Sequence, residues 1–393
     1  MSINDGFNGE RLRKARIYRG WTVAELANKM CCSRQTISMY ENKGIKPLDN
    51  ETVEKLSDVL MFPTAFFFQI DRVHSVEAGS TYFRALLTTN KKYRAEQIQK
   101  MEFVAQIFSF ISEYVNFVPP KLPLIPIGTT PDVAATLLRK QWGLGDRPVE
   151  NLIHVAEDNG VLVTSFDTTT DDVDAFSQLV DIVNENGEQE SRFIIGYSSN
   201  KTSAARLHFD IAHELGHICL HNWDENIEEI DKDEFRERED EAHRFAAAFL
   251  LPASSFGIDA RKVLPTVPAY TLLKRKWKTS IAAMLRRSYH LGIITMQDYQ
   301  NGMKTLQKRG FRKAEPLDDT LMTGTPALLK TAIHLLFTEK IFTPQTFIDE
   351  LASSYDLSLY AEEVERLLDM HGIFKVATII PFPDLRIKED VHN

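Results

Sequence analysis

The chain has 393 residues, more than one hydrophobic core usually organises, so two or three domains are expected. Its 43% hydrophobic content is ordinary for a globular protein, no apolar run approaches the roughly 18 residues of a membrane span, and no basic stretch leads into an apolar one at the N-terminus. These features exclude a membrane span and a secretory leader and predict a cytoplasmic protein. Cys31 and Cys32 are adjacent and Cys219 is remote, so neither a disulfide framework nor a C-x-x-C pair is present. The formal charge of -9 hides an uneven distribution. Between Glu10 and Lys46, nine basic residues face three acidic ones, an electrostatic footprint suited to phosphate. Between Asp224 and Glu241, eleven acids face three bases, which reads mostly as a solvated loop and helix face.

In chain order, short helices are predicted from residue 9 to about 68, closed by Phe66-Phe67-Phe68. Ile98, Met101, Val104, Ile107, Phe108, Ile111 and Val115 recur at three and four, the spacing of one buried helix face. That helix either connects to the next domain or makes a dimer contact. The proline-rich segment from Val118 to Pro126 marks a boundary, and Thr130-Pro131 is an N-cap followed by proline at the first helical position. Helices near 131–141 and 148–158 and a strand at 161–165 come next, and the apolar runs 175–183 and 192–197 flank a polar turn as a hairpin would. Further helices are predicted over 203–221, 234–251 and 268–308, with a last helical region opening at Thr325-Pro326 and Thr343-Pro344. The boundaries expected are 1–70 for a DNA-binding domain, 71–128 for a linker and connecting helix, 129–315 for a metal-binding domain and 316–393 for a C-terminal helical domain. The fold class is α+β, mainly helical, with a small sheet in the metal-binding part.

Within residues 22–41, Leu26 and Ala27 occupy the inner face of one helix, Ile37 and Tyr40 or Glu41 repeat along the next, and Ser33 is the natural N-cap of that second helix. Arg34, Gln35, Thr36, Ser38 and Met39 then project outward near the end that enters a major groove in helix-turn-helix proteins. Arginine and glutamine are shaped to read guanine and adenine edges, and Lys43 and Lys46 just beyond can clamp phosphates. Residues 8–68 resemble the XRE-type, lambda-repressor-like helix-turn-helix, down to the string S-R-Q-T-I-S-M-Y-E. Cys31 stands at the turn where that family often has glycine. The resemblance implies binding to a double-stranded operator, with a homodimer reading paired half-sites.

The string H-F-D-I-A-H-E-L-G-H-I-C-L-H runs from His208 to His221. His213 and His217 are four apart, so both imidazoles lie on one helix face and can reach a single ion, with Glu214 beside them to hold its water. With the downstream E-D-E-A-H-R-F-A-A-A-F-L-L-P from Glu239 to Pro252, residues 130–310 closely resemble the ImmA/IrrE metallopeptidase family. The resemblance implies a zincin-like domain in which zinc, or another divalent metal, is held by His213, His217 and Glu239, with Glu214 as catalytic base. Asp240 and Glu241 remain alternative carboxylate ligands. His243 stands where the family usually has asparagine and would orient a ligand imidazole from behind. His221 is read as a helix-end residue or substrate contact, and His208, His154 and Cys219 as packing.

Together the two resemblances predict a DNA-binding regulator carrying a zinc endopeptidase that cuts itself or a partner repressor of XRE type. The alternative is a repressor or antitoxin-type DNA-binding protein whose zinc domain is a latent sensor or scaffold. By the same resemblance a substrate peptide would add to an edge strand of the 175–197 region. The tail beyond Leu317 is expected to pack on the peptidase region or on a second subunit.

Overall fold

A computed structural model describes residues 6–42, 48–70, 81–83, 91–166, 175–183, 189–199, 203–223, 230–312 and 314–374. At the N-terminus, α1 (Gly9–Tyr18), α2 (Val23–Met30), α3 (Arg34–Glu41) and α4 (Asn50–Leu60) precede a 3-10 turn at Thr64–Phe68. Each of the four helices starts on a side-chain cap. Asn8, Thr22, Ser33 and Asp49 accept hydrogen bonds from first-turn amides, and Thr22 with Glu25 forms a reciprocal capping box. Leu12, Ala15, Leu26, Ile37, Leu56 and Phe66 are fully buried between them. Cys31 ends α2 in the left-handed region, φ 55°, where glycine would carry no steric cost.

The long helix α5 (Lys91–Ser112) buries Met101, Val104, Ile107, Phe108 and Ile111 as the periodicity requires, and the same buried face extends to Phe103 and Phe110. It fastens the N-terminal helices to a four-stranded sheet. Phe103 stacks on Tyr18, with ring centroids 5.2 Å apart. The strands are β1 (Thr81–Phe83), β2 (Leu162–Phe166), β3 (Ala175–Val183) and β4 (Gln189–Ser198), in the order β1-β3-β4-β2. β3 pairs antiparallel with both β1 and β4, whereas β2 runs parallel to β4. Because side chains alternate along a strand, the sheet divides two cores. Phe176, Val180 and Ile194 face the α5 side, and Ala175, Ile195 and Tyr197 face the opposite side.

That second core is roofed by α6 (Pro131–Gln141), α7 (Leu152–Asp158), α8 (Ala204–Leu220) and α9 (Lys232–Leu250). It continues through α10 (Phe256–Arg261), α11 (Val267–Trp277), α12 (Ile281–His290) and α13 (Met296–Lys308). α6 begins with Pro131 after Thr130, as its sequence signals.

The last helices are α14 (Leu328–Thr338), α15 (Pro344–Ser354) and α16 (Ala361–Leu367). α14 begins two residues after the Thr325-Pro326 signal, because the Glu157 carboxylate of α7 accepts the amides of Ala327 and Leu328 and caps the helix from another element. The tail joins the α5 core more than the α8 core. Phe342 and Phe347 pack on Phe110, Gln69 donates to the Ala352 carbonyl at 2.8 Å, and Thr164 of β2 donates to the Leu367 carbonyl. Among the described residues no helix is long and apolar enough to cross a membrane.

Candidate metal centre and reading helix

α8 starts at the Ser203 cap and carries His213, Glu214 and His217 into the interior, all at most 1% exposed. Gly216 is what lets α9 come close. A Cβ at that position would stand 3.0 Å from Ala242 Cα and 3.2 Å from the Ala242 carbonyl oxygen, a backbone that cannot step aside cheaply. The close crossing brings Glu239 of α9 against both imidazoles. His213 Nε2 and His217 Nε2 are 3.0 Å apart, and the Glu239 oxygens lie 3.4 Å from the first and 3.2 Å from the second. Burial raises the affinity of the Glu239 carboxyl for its proton, but hydrogen bonds to His213 and His217 outweigh that and hold it well below the usual carboxylate range. Burial likewise pushes His213 far below its ordinary value, keeping the imidazole neutral. Two imidazole nitrogens and a carboxylate converging in a buried space are a donor set that fits a divalent metal such as zinc.

Behind these groups lies a second layer of side chains. With Nε2 turned towards His213 and Glu239, His217 places its Nδ1 2.9 Å from His221 Nδ1. His221 Nε2 in turn donates to Glu241 at 3.3 Å. Glu241 therefore braces His217 through His221, whereas Glu239 meets the imidazoles directly. Asp240 pairs outward with Arg244. His243 donates from Nδ1 to the Glu239 carbonyl at 2.6 Å, and its ring stands 4.5 Å from that of His213. Donor atoms of His213, Glu239 and His243 lie within 4.8 Å of one another, so two triads share His213 and Glu239, one completed by His217 and the other by His243. His221 thus stands behind His217, and His243 stands against His213 and Glu239.

Glu214 Oε2 accepts a 2.6 Å hydrogen bond from Ser177 of β3. Ser177 goes unnoticed in the sequence, where a single hydroxyl in an apolar strand carries no signal. A cavity of about 400 Å³ opens beside His243, lined among others by Arg206, Phe209, Arg244, Arg286 and Met303. His208 is buried and contacts Thr323 Oγ1 at 3.1 Å, His154 contacts the Thr325 carbonyl, and Cys219 is half-buried.

On α3, Arg34, Gln35, Ser38 and Met39 are exposed, while Thr36 is half-buried and its hydroxyl meets that of Ser33 at 2.9 Å. Lys43 and Lys46 lie outside the described residues. The basic run is less of a phosphate footprint than its composition suggests. Arg11 is buried under the Ile70 carbonyl, and Lys14, Arg16 and Arg19 pair with Glu102, Glu41 and Glu363. Arg13, Lys29 and Arg34 remain outward.

Residues 156–289 match the family model described as the IrrE N-terminal-like domain, a peptidase family, and residues 12–66 match that described as helix-turn-helix. No match was found among curated proteins. Each family model falls on one of the two constellations just described, and the chain accordingly joins an XRE-type helix-turn-helix domain to an ImmA/IrrE-like peptidase-family domain.

Proposed function

We propose that this protein is a DNA-binding transcriptional regulator that carries a zinc endopeptidase and hydrolyses a peptide bond in itself or in a partner repressor. The observation that carries the reading is the convergence of His213, His217 and Glu239 within 3.0–3.4 Å, with Glu214 adjoining, in a chain that also exposes a polar reading helix. His213, His217 and Glu239 would hold a zinc ion, which would supply Lewis-acid polarisation of the scissile carbonyl and a water of pKa lowered to about 7. Glu214 accepts the proton of the attacking water and delivers it to the leaving amine, and Ser177 fixes the carboxylate in the orientation for both transfers. Arg34, Gln35, Thr36, Ser38, Met39 and Lys43 contact the operator, and a second copy of the chain reads the other half-site. The peptidase unit spans 129–315, between the reading head of 1–70 with its connecting segment of 71–128 and the helical tail of 316–393.

One observation favours a second reading. The Nδ1 bond of His243 leaves its lone pair on Nε2, and a histidine there can complete an all-protein coordination shell, which would make the domain a latent sensor. The two are separated by incubating zinc-loaded protein, native and Glu214→Gln, with itself and with repressors encoded beside it. Cleavage by the native chain alone establishes the peptidase; bound metal without cleavage by either chain transfers the assignment to the sensor.

A further inference from the structure

The strand β1 comes from the stretch between the reading head and α5, yet it pairs with the metal-binding half of the molecule. Without it, β3 would have β4 on one side and an open edge on the other. That edge borders the candidate catalytic group, because Ser177 of β3 holds Glu214 at 2.6 Å. The register puts Tyr82 of β1 directly opposite Ser177, with Thr81 opposite Gln178 and Phe83 opposite Phe176. An extended peptide that adds to a sheet edge is recognised by the backbone ladder that β1 makes here.

We propose that Thr81–Phe83 is a resident ligand, held in cis, of the outer edge of β3, in the region where the family resemblance already implies that an extended substrate would add. The proposal rests on Glu214 being the group around which substrates assemble. Its energetics suit an exchangeable occupant. Three residues supply only a few ladder hydrogen bonds, each contributing about 0.5–1.5 kcal/mol net, but tethering gives a short segment an effective concentration on the order of millimolar. A peptide in trans therefore competes poorly until the strand leaves.

The test uses full-length, zinc-loaded Glu214→Gln protein, which reads occupancy without turnover, beside the same protein carrying Tyr82→Pro and Phe83→Pro. Successive strand amides point to opposite sides, so one of the two prolines removes a donor to β3. The probe is a fluorescent peptide of residues 78–86. The expected result is binding at least about tenfold tighter to the proline variant, as loss of a tethered competitor requires. Amides of Phe176–Gln178 should exchange faster in the variant and regain protection with the probe. Equal binding by the two proteins, or none by either, overturns the proposal. Metal stoichiometry and the thermal midpoint report whether the variant folds. If it does not, hydrogen exchange of the parent decides, since unprotected amides at Phe176–Gln178 would mean an open edge and protected amides without probe uptake a filled one. Native Glu214 protein separates this inference from the peptidase reading. Cleavage of a repressor at the same rate with and without the prolines removes the cis ligand and keeps the peptidase, whereas a binding difference with no cleavage anywhere does the reverse.

Discussion

The metal centre and the seat of the reading head both depend on buried charge, but they assemble it from opposite distances along the chain. At the centre, the groups that converge on one point, His213, His217, Glu239 and His243, come from two helices within 31 residues, and the four-residue spacing of α8 already places two imidazoles on one face. The head is anchored across the length of the molecule. Tyr18 at the end of α1 and Arg19 just beyond it meet Glu363 of α16, Lys14 meets Glu102 of α5, and Lys92 of α5 returns to Glu25 of α2. The lesson is that local charge patterns disclose a site when helix geometry alone brings the groups together. They mislead when the partners are remote, as four of the nine basic residues near the N-terminus show by turning inward.

This contrast can be broken by substitution. The largest effect is expected from Glu363→Ala, which leaves Arg19 and the Tyr18 hydroxyl without their buried partner and should cost about 3–5 kcal/mol in chemical denaturation. Metal binding should be untouched, and a parallel loss of zinc would show that head and centre fold as one unit. Next, Glu239→Ala should weaken zinc binding by more than about 100-fold in chelator competition, beyond the roughly 10–100-fold typical of residues that only brace a ligand. Glu241→Ala and His221→Ala should fall within that lower range, and Glu241→Ala exceeding Glu239→Ala would reverse the ligand assignment. Replacing Arg34 or Gln35 by alanine should cost about 1–3 kcal/mol in operator affinity at fixed salt, with unchanged metal content, if each reads a base. The smallest change is Cys31→Gly. It relieves the left-handed backbone of an exposed residue and should raise stability by up to about 1 kcal/mol, while a fall would reveal a side-chain contact.

Much of the fold follows from signals that act over a few residues. The cap at Ser33, the helix start at Thr130-Pro131, the periodicity of α5 and the hairpin of β3 and β4 each depend on neighbours within one element or one turn, and each appears where expected, although Thr130 holds its N-cap position without a side-chain hydrogen bond. The tail shows the opposite. Its helices are recognisable and the peptidase region is among their expected partners; the structure seats them on β2 and α7 of that region and equally on α5 and the reading head, which the sequence does not signal. An amphipathic stripe states that a face will be buried without stating against what.

The same division runs through the candidate site. The sequence by itself determined that two imidazoles and a glutamate share one buried helix face, since a 3.6-residue repeat is a local property of the backbone. Glu239 became legible only through the pattern of a second helix. Tertiary structure alone decided that Gly216 admits Ala242, that Ser177 holds Glu214, that Glu241 stands behind His221, and that a strand from the linker covers the β3 edge. Those contacts join segments whose separation in the chain carries no periodic trace, and they exist only because two packed cores, back to back on one sheet, bring them within reach.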